Sequence, residues 1–149
     1  MSGIAIAAVE MGGREWDALI DFAARCSWKA GPSLADEMRR NAFSEWERVF
    51  AAKSGGEFAG FCTLAKEDCI KGIPYSPFVG YVFVAEKFRG RRLSQKLIEA
   101  AEEYARSLGF DRVYLISDHE NFYEKYGFSV IERKAAPWGA MEKIYGKKL

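Results

Sequence analysis

One histidine, His119, and three cysteines, Cys26, Cys62 and Cys69, are all the soft metal ligands this chain has, and their spacing matches no metal-binding pattern. An odd number of scattered thiols suits a reduced, cytoplasmic protein, and no structural metal is expected. Long apolar runs are also missing: nothing approaches the roughly 20 residues of a membrane-spanning helix. The first residues, MSGIAIAAVEMGG, lack the basic leader and extended apolar run of a secretion signal, so a soluble, unexported chain is expected. Neither sign of charge dominates. With 22 basic and 21 acidic side chains the net charge is +1, too small for a global field toward nucleic acid or an anionic membrane, and neither partner is expected. The phosphate loop ending in Gly-Lys-Ser/Thr and the three-glycine dinucleotide fingerprint are both absent, which weakens a nucleotide-binding reading.

What remains is a chain of 149 residues, the size of one domain over 1–149, with apolar segments of two periods. Ile4 to Val9 reads as a strand and Arg14 to Cys26 as a helix, with Trp16, Leu19, Ile20 and Ala23 on one face. After Gly31 and Pro32, Ser33 is a candidate cap for a second helix carrying Leu34, Met38, Ala42 and Trp46 on one side. Arg48 to Lys53 and Glu57 to Lys66 flank the turn Ser54-Gly55-Gly56 as a hairpin. Phe78 to Val84 is a further strand, Arg91 to Leu108 a long amphipathic helix stopped by Gly109, and Asp111 to Ser117 a buried strand. A short helix over Glu120 to Tyr126 and two strands, Phe128 to Arg133 and Ala140 to Tyr145, complete the order β-α-α-β-β-β-α-β-α-β-β.

The densest chemistry lies in YVFVAEKFRGRRLS, Tyr81 to Ser94, where a strand passes through a basic turn into a helix. The first turn of a helix offers backbone N–H groups without intrahelical acceptors and a partial positive charge, which together bind anions. Arg89, Arg91 and Arg92 add forked cationic donors, and Gly90 permits backbone angles that other residues avoid. Arginines that merely open a solvated helix are the plainer account, but helix starts favour acids, so the cluster is unusual.

Two blocks resemble the GCN5-related N-acetyltransferase superfamily. Its central motif reads Arg or Gln, two residues, Gly or Ala, one residue, Gly or Ala. Here Arg89, Gly90, Arg91, Arg92, Leu93 and Ser94 hold those places, with Arg92 and Ser94 where small residues are usual. Downstream, NFYEKYGF, Asn121 to Phe128, is similar to the family's second motif, an aromatic-tyrosine pair and a short helix ending in Gly-Phe. The resemblance covers Phe78 to Val130 well and the rest by layout. It implies an α/β fold with a mixed, mostly antiparallel central sheet flanked by helices and splayed between strands 4 and 5.

The function implied is direct transfer of an acetyl group from acetyl-CoA, a co-substrate, to a primary amine of a small molecule or peptide. An alternative is a non-catalytic acyl-CoA-binding or regulatory module on the same fold. By resemblance, Val82, Phe83 and Val84 pair with the pantetheine arm, Arg89 to Ser94 hold the pyrophosphate, Asn121 touches the arm, and a fourth-strand N–H polarises the thioester. Tyr123 is the implied general acid, since a phenol donates a proton at neutral pH, with Tyr126 as its rival. The base stays open among His119, Asp118, Glu86 and water. Trp28, Lys29, Asp36, Glu37, Phe43, Trp46 and Trp138 are candidates for acceptor recognition, and the last strands offer an edge for a homodimer.

Overall fold

Residues of β2 (Arg48–Ser54) point alternately to the two faces of a sheet, and each face finds its own helices. Val49 and Ala51 join a cluster with Trp16, Leu19 and Ala23 of α1 (Arg14–Arg25) and Leu34, Ala35 and Met38 of α2 (Gly31–Arg39). Phe50 and Ala52 join the opposite cluster, built on Leu93, Leu97, Ile98, Ala101 and Ala105 of α3 (Leu93–Ser107). The computed structural model describes residues 3–43 and 45–149. The remaining strands are β1 (Ile4–Val9), β3 (Glu57–Ala65), β4 (Phe78–Val84), β5 (Arg112–Ser117), β6 (Ser129–Ala135) and β7 (Met141–Lys148). They form one sheet in the order β1-β2-β3-β4-β5-β7-β6.

Neighbours pair antiparallel except β4 and β5, which are parallel and joined by α3 as the crossover such a pair needs. That parallel pairing consists of Phe78 opposite Tyr114, with the Tyr114 N–H donating to the Pro77 carbonyl at 2.9 Å. Beyond it the two strands part toward their C-terminal ends. The expected architecture, a mixed and mostly antiparallel sheet split between strands 4 and 5, is therefore the architecture found.

Several element ends differ from the sequence expectation for physical reasons. The second helix begins at Gly31, so Ser33 lies inside it and not at its cap; Pro32 sits in the first turn, where its missing N–H costs nothing. That helix ends at Arg39 because Asn41 takes a left-handed conformation, φ 50°, leaving Ala42 and Trp46 outside it. The segment expected as a helix over Glu120 to Tyr126 is a 3₁₀ turn, Tyr123–Tyr126, preceded by Asn121 at φ 56°. The long helix starts at Leu93, two residues after Arg91, and stops as Gly109 requires: at φ 94° this glycine lets the Phe110 N–H reach back to the Ala105 carbonyl at 3.1 Å. Among the described residues no helix is long and apolar enough to cross a membrane.

Candidate active site

The split owes its shape to one extra residue in β4. Phe61 of β3 faces Phe83 and Thr63 faces Gly80, so three steps on β4 match two on β3, and Tyr81 at φ 49° absorbs the difference. The bulge reverses the side-chain parity of the strand. Val79 joins the α3 cluster whereas Phe83 joins the α1–α2 cluster, although the two are an even number of residues apart. It also aims the backbone. The Ala85 N–H donates to the Ala59 carbonyl at 2.8 Å, and antiparallel alternation then turns the N–H and carbonyl of Val84 away from β3, into the split. The Val84 carbonyl accepts from Arg89 Nε at 2.9 Å.

A cleft of about 640 Å³ follows the split to the start of α3, and Val82, Phe83, Val84, Arg89, Gly90, Arg92, Leu93, Ser94 and Tyr123 all line it. Gly90 at φ 83° and Arg92 at φ 58° are both left-handed, so the turn curls and presents successive backbone N–H groups on its inner side. Arg92 caps α3 with no side-chain bond to the first turn, whose first internal bond is Lys96 N–H to the Arg92 carbonyl at 3.2 Å. The N–H groups of Leu93, Ser94 and Gln95 are thus left for an anion. Among the described residues Arg89, Arg91 and Arg92 form no ion pair, so their charge is not cancelled. Arg89 lies over the Phe83 ring at 5.8 Å and Arg91 over Phe88 at 5.7 Å. Two of the expected cofactor residues, Arg91 and Asn121, are not in the cleft wall; both are exposed beside it. These features fit a phosphate-bearing, elongated ligand.

Tyr123 closes the deep end. It is packed among Phe122, Phe128 and Tyr145, and its hydroxyl has no hydrogen-bond partner among the described residues. Burial first, then the neighbouring Tyr126 and Tyr145, pushes its pKa up to about 12, so it stays a neutral donor at physiological pH. Tyr126 differs: its hydroxyl pairs with Ser94 Oγ at 3.0 Å, bridging the 3₁₀ turn to the start of α3.

Tyr123, Trp28, Val82 and His119 also line a second cleft of about 800 Å³, bounded by Val79 to Val82 of β4 and Leu115 to Ser117 of β5. This space contains Lys29, Asp68, Tyr81, Asp118, Trp138 and Glu142, and it borders a third hollow with Asp36, Glu37, Glu67, Asp68, Phe43 and Trp138. Six of the seven residues expected to meet an acceptor therefore surround these hollows. Trp46 does not: it packs on Phe110 at 5.2 Å, within the α3 cluster on the opposite face of the sheet. Of the candidate bases, Glu86 hydrogen-bonds Ser27, which together with Arg89 nearby lowers its pKa, and it lines neither cleft. Asp118 and His119 are exposed at the rim.

Sequence reasoning missed Asp68. Burial raises its carboxyl pKa to about 6, against the opposing pull of the Cys69 N–H, at 2.7 Å from Oδ1, and of Lys71. Tyr81, pointed by the bulge toward α2, donates its hydroxyl to Glu37, and burial together with that bond pushes the phenol pKa well above its ordinary value. No motif marks either residue, because an acid in a loop and a tyrosine in a strand are unremarkable until the bulge brings them together.

No curated protein sequence matches the chain. Its structure is similar to the crystal structure of aminoglycoside 6'-acetyltransferase type Ii, with TM-score 0.75, 21% identity, and 97% of this chain and 96% of that chain covered. It is likewise similar to an aminoglycoside 6'-N-acetyltransferase complexed with coenzyme A, with TM-score 0.74, 18% identity, and 97% and 96% covered. A GNAT family acetyltransferase from Elizabethkingia anophelis with acetyl-CoA bound gives TM-score 0.70, 16% identity and 98% coverage of both chains. The family model described as Acetyltransferase (GNAT) family matches residues 16–128, which takes in both the basic turn and the Tyr123 segment. The chain belongs to the acetyltransferase (GNAT) family.

Proposed function

We propose that this protein, a single domain over 1–149, is an acetyl-CoA-dependent N-acetyltransferase that passes an acetyl group directly to a primary amine of a small molecule or peptide. The observation carrying this reading is the meeting of two clefts at Tyr123, one leading to the basic turn and the other rimmed by carboxylates. Arg89, Arg92 and the N–H groups of Leu93 and Ser94 would hold the pyrophosphate, and Val82 to Val84 the pantetheine arm. Acetyl-CoA supplies the acetyl group as a thioester, a carbonyl open to attack by an uncharged amine. The Val84 N–H, turned into the split, would donate a hydrogen bond to that carbonyl oxygen as negative charge builds on it. Tyr123 supplies the proton to the departing sulfur.

The acceptor side favours cations, since Asp36, Glu37, Glu67, Asp68, Asp118 and Glu142 outnumber Lys29, Lys71 and Arg40 around the hollows. Aromatic walls from Trp28, Tyr81 and Trp138 suit an amine on a ring or sugar. The likeness to two aminoglycoside acetyltransferases makes amino sugars the first acceptors to try. The test is calorimetric titration with acetyl-CoA, together with free-thiol release in the presence of kanamycin A, spermidine, tryptamine and a dipeptide. Binding plus thiol release on one of them supports the enzyme and identifies its acceptor class; absence of binding overturns the reading.

A further inference from the structure

We propose that Asp68 is the general base of the transfer, taking a proton from the acceptor ammonium where the two acceptor-side hollows join. This rests on the acetyltransferase reading above. An alkyl ammonium is no nucleophile, so a group near the reacting nitrogen must accept a proton before the nitrogen attacks.

Position singles out Asp68. Its carboxylate lines both hollows, one of which reaches Tyr123. Oδ1 is held by the Cys69 N–H, while Oδ2 accepts no hydrogen bond from the described residues and stays available. Oδ2 also lies beside Gly80: a Cβ on that residue would come to 3.2 Å from it and to 3.2 Å from Thr63 Oγ1. The missing side chain lets the carboxylate nest on β4 immediately before the bulge that shapes the split. Among the rival acids Glu37 is bonded by Tyr81, Glu86 by Ser27 and Glu142 by Trp138, and Asp118 is exposed at the rim.

The groups facing Asp68 come from every element around it. Glu37 of α2 repels its negative charge and Lys71 of the following loop attracts it. Cys69 and Tyr81 are protonated neighbours, with thiol and phenol both pushed upward by burial. Tyr123, Asp118, Glu142 and Lys29 face it across the hollow. With its carboxyl raised to about 6, Asp68 is ionised at neutral pH and is a stronger base than an ordinary carboxylate.

The protons balance. Of the three on the ammonium, one passes to Asp68 and from there to water. The freed nitrogen forms a C–N bond to the acetyl carbon as the C–S bond breaks. A second proton, lost from that nitrogen, restores Tyr123 after Tyr123 has protonated the sulfur. The third stays on the amide.

The experiment compares wild type, Asp68→Asn and Asp68→Glu by acetyl-CoA calorimetry and by thiol release with kanamycin A, spermidine and tryptamine across about pH 5 to 9. Asparagine keeps the size of the side chain and an oxygen for the Cys69 N–H, and thermal melting checks that each variant is folded. For wild type, kcat/KM is expected to rise to a plateau through about pH 6. Asp68→Asn is expected to bind acetyl-CoA as wild type does and to lose about 100-fold in rate at neutral pH. Its remaining rate should climb with pH as free amine accumulates, without a plateau, and Asp68→Glu should recover part of the loss. Wild-type rates and pH profile in Asp68→Asn would overturn the base while leaving the enzyme intact. Acetyl-CoA binding without thiol release on any of the three amines would overturn the base and leave the cofactor site standing. No acetyl-CoA binding at all would overturn the acetyltransferase reading, and the base with it.

Discussion

Tyr123 and Tyr126 share one 3₁₀ turn, yet one hydroxyl is free at the junction of two clefts and the other is spent on Ser94. Truncating each should separate chemistry from scaffolding. Tyr123→Phe is expected to lose about 100-fold in thiol release with acetyl-CoA affinity unchanged, whereas Tyr126→Phe, which removes one hydrogen bond of about 1 kcal/mol, should mainly weaken acetyl-CoA binding. Calorimetry and the thiol assay on both variants check this. Asp68 carries a second, thermodynamic signature. Its carboxyl moves from 3.8 in the unfolded chain to about 6 in the fold, so between those values the native state keeps a proton that the unfolded state has lost. The stability contributed by the protonated form is complete below 3.8 and is lost as pH rises through about 6, a cost on the order of 2–3 kcal/mol at neutral pH. Asp68→Asn removes the titration. It should be more stable than wild type by about 1–2 kcal/mol at pH 8 and nearly equal to it at pH 4, as urea unfolding at the two pH values would measure. A residue whose replacement stabilises the fold and slows the reaction is retained for function.

Among the elements, the β3–β4 pair leaves no room for a side chain at one point beside the split. Gly60 faces Val84, and a Cβ on it would meet the Phe83 carbonyl oxygen at 2.4 Å, a backbone atom that cannot step aside. Gly60→Ala must push the strands apart just where Val84 turns its backbone into the split. A loss of about 2 kcal/mol in urea unfolding, with weaker acetyl-CoA binding in calorimetry, is the expected outcome. The same pair marks the limit of what the sequence discloses. β1 and β4 are legible to the residue because each is an apolar run, β1 followed closely by Gly12 and Gly13 and β4 preceded by Pro77, and the turn before α3 is legible because glycine and clustered arginines are chemically loud. Tyr81 carries no mark of its left-handed conformation, which sheet pairing imposes on a residue with strong strand preference. Trp46 looked like a helical neighbour of Met38 because a spacing of four continues the pattern, but Asn41 breaks the helix between them. Asp68 and Glu37 lie far apart in the chain and come together only in the hollow they share in the fold, so no local pattern could pair them.

The molecule as a whole is two apolar cores on either face of one sheet that is nearly cut between β4 and β5. Tyr114 opposite Phe78 holds the two parts of the sheet together at one end, where Lys147 of β7, opposite Val113, also pairs with the buried Glu102 of α3 at 2.9 Å; at the other end the tie is the Ser94–Tyr126 hydrogen bond. A ligand held in the split as proposed would touch β4 on one side and the Tyr123 turn on the other, and so would stand in for the strand pairing that the parallel edge lacks. Binding to the folded state alone raises stability by about 2.7 kcal/mol when acetyl-CoA is at 100 times its Kd. For a domain of this length that corresponds to roughly 8 °C in Tm. Calorimetric melting of a single domain should therefore show one transition that shifts upward as a unit with acetyl-CoA. Two transitions, with one of them unmoved, would show instead that the halves on either side of the split unfold separately. Because the overall charge is close to neutral while the basic turn carries three arginines outside any ion pair among the described residues, the shift should shrink as salt is raised from low ionic strength, when screening begins to act within about 10 Å, while the melting of the free protein changes little.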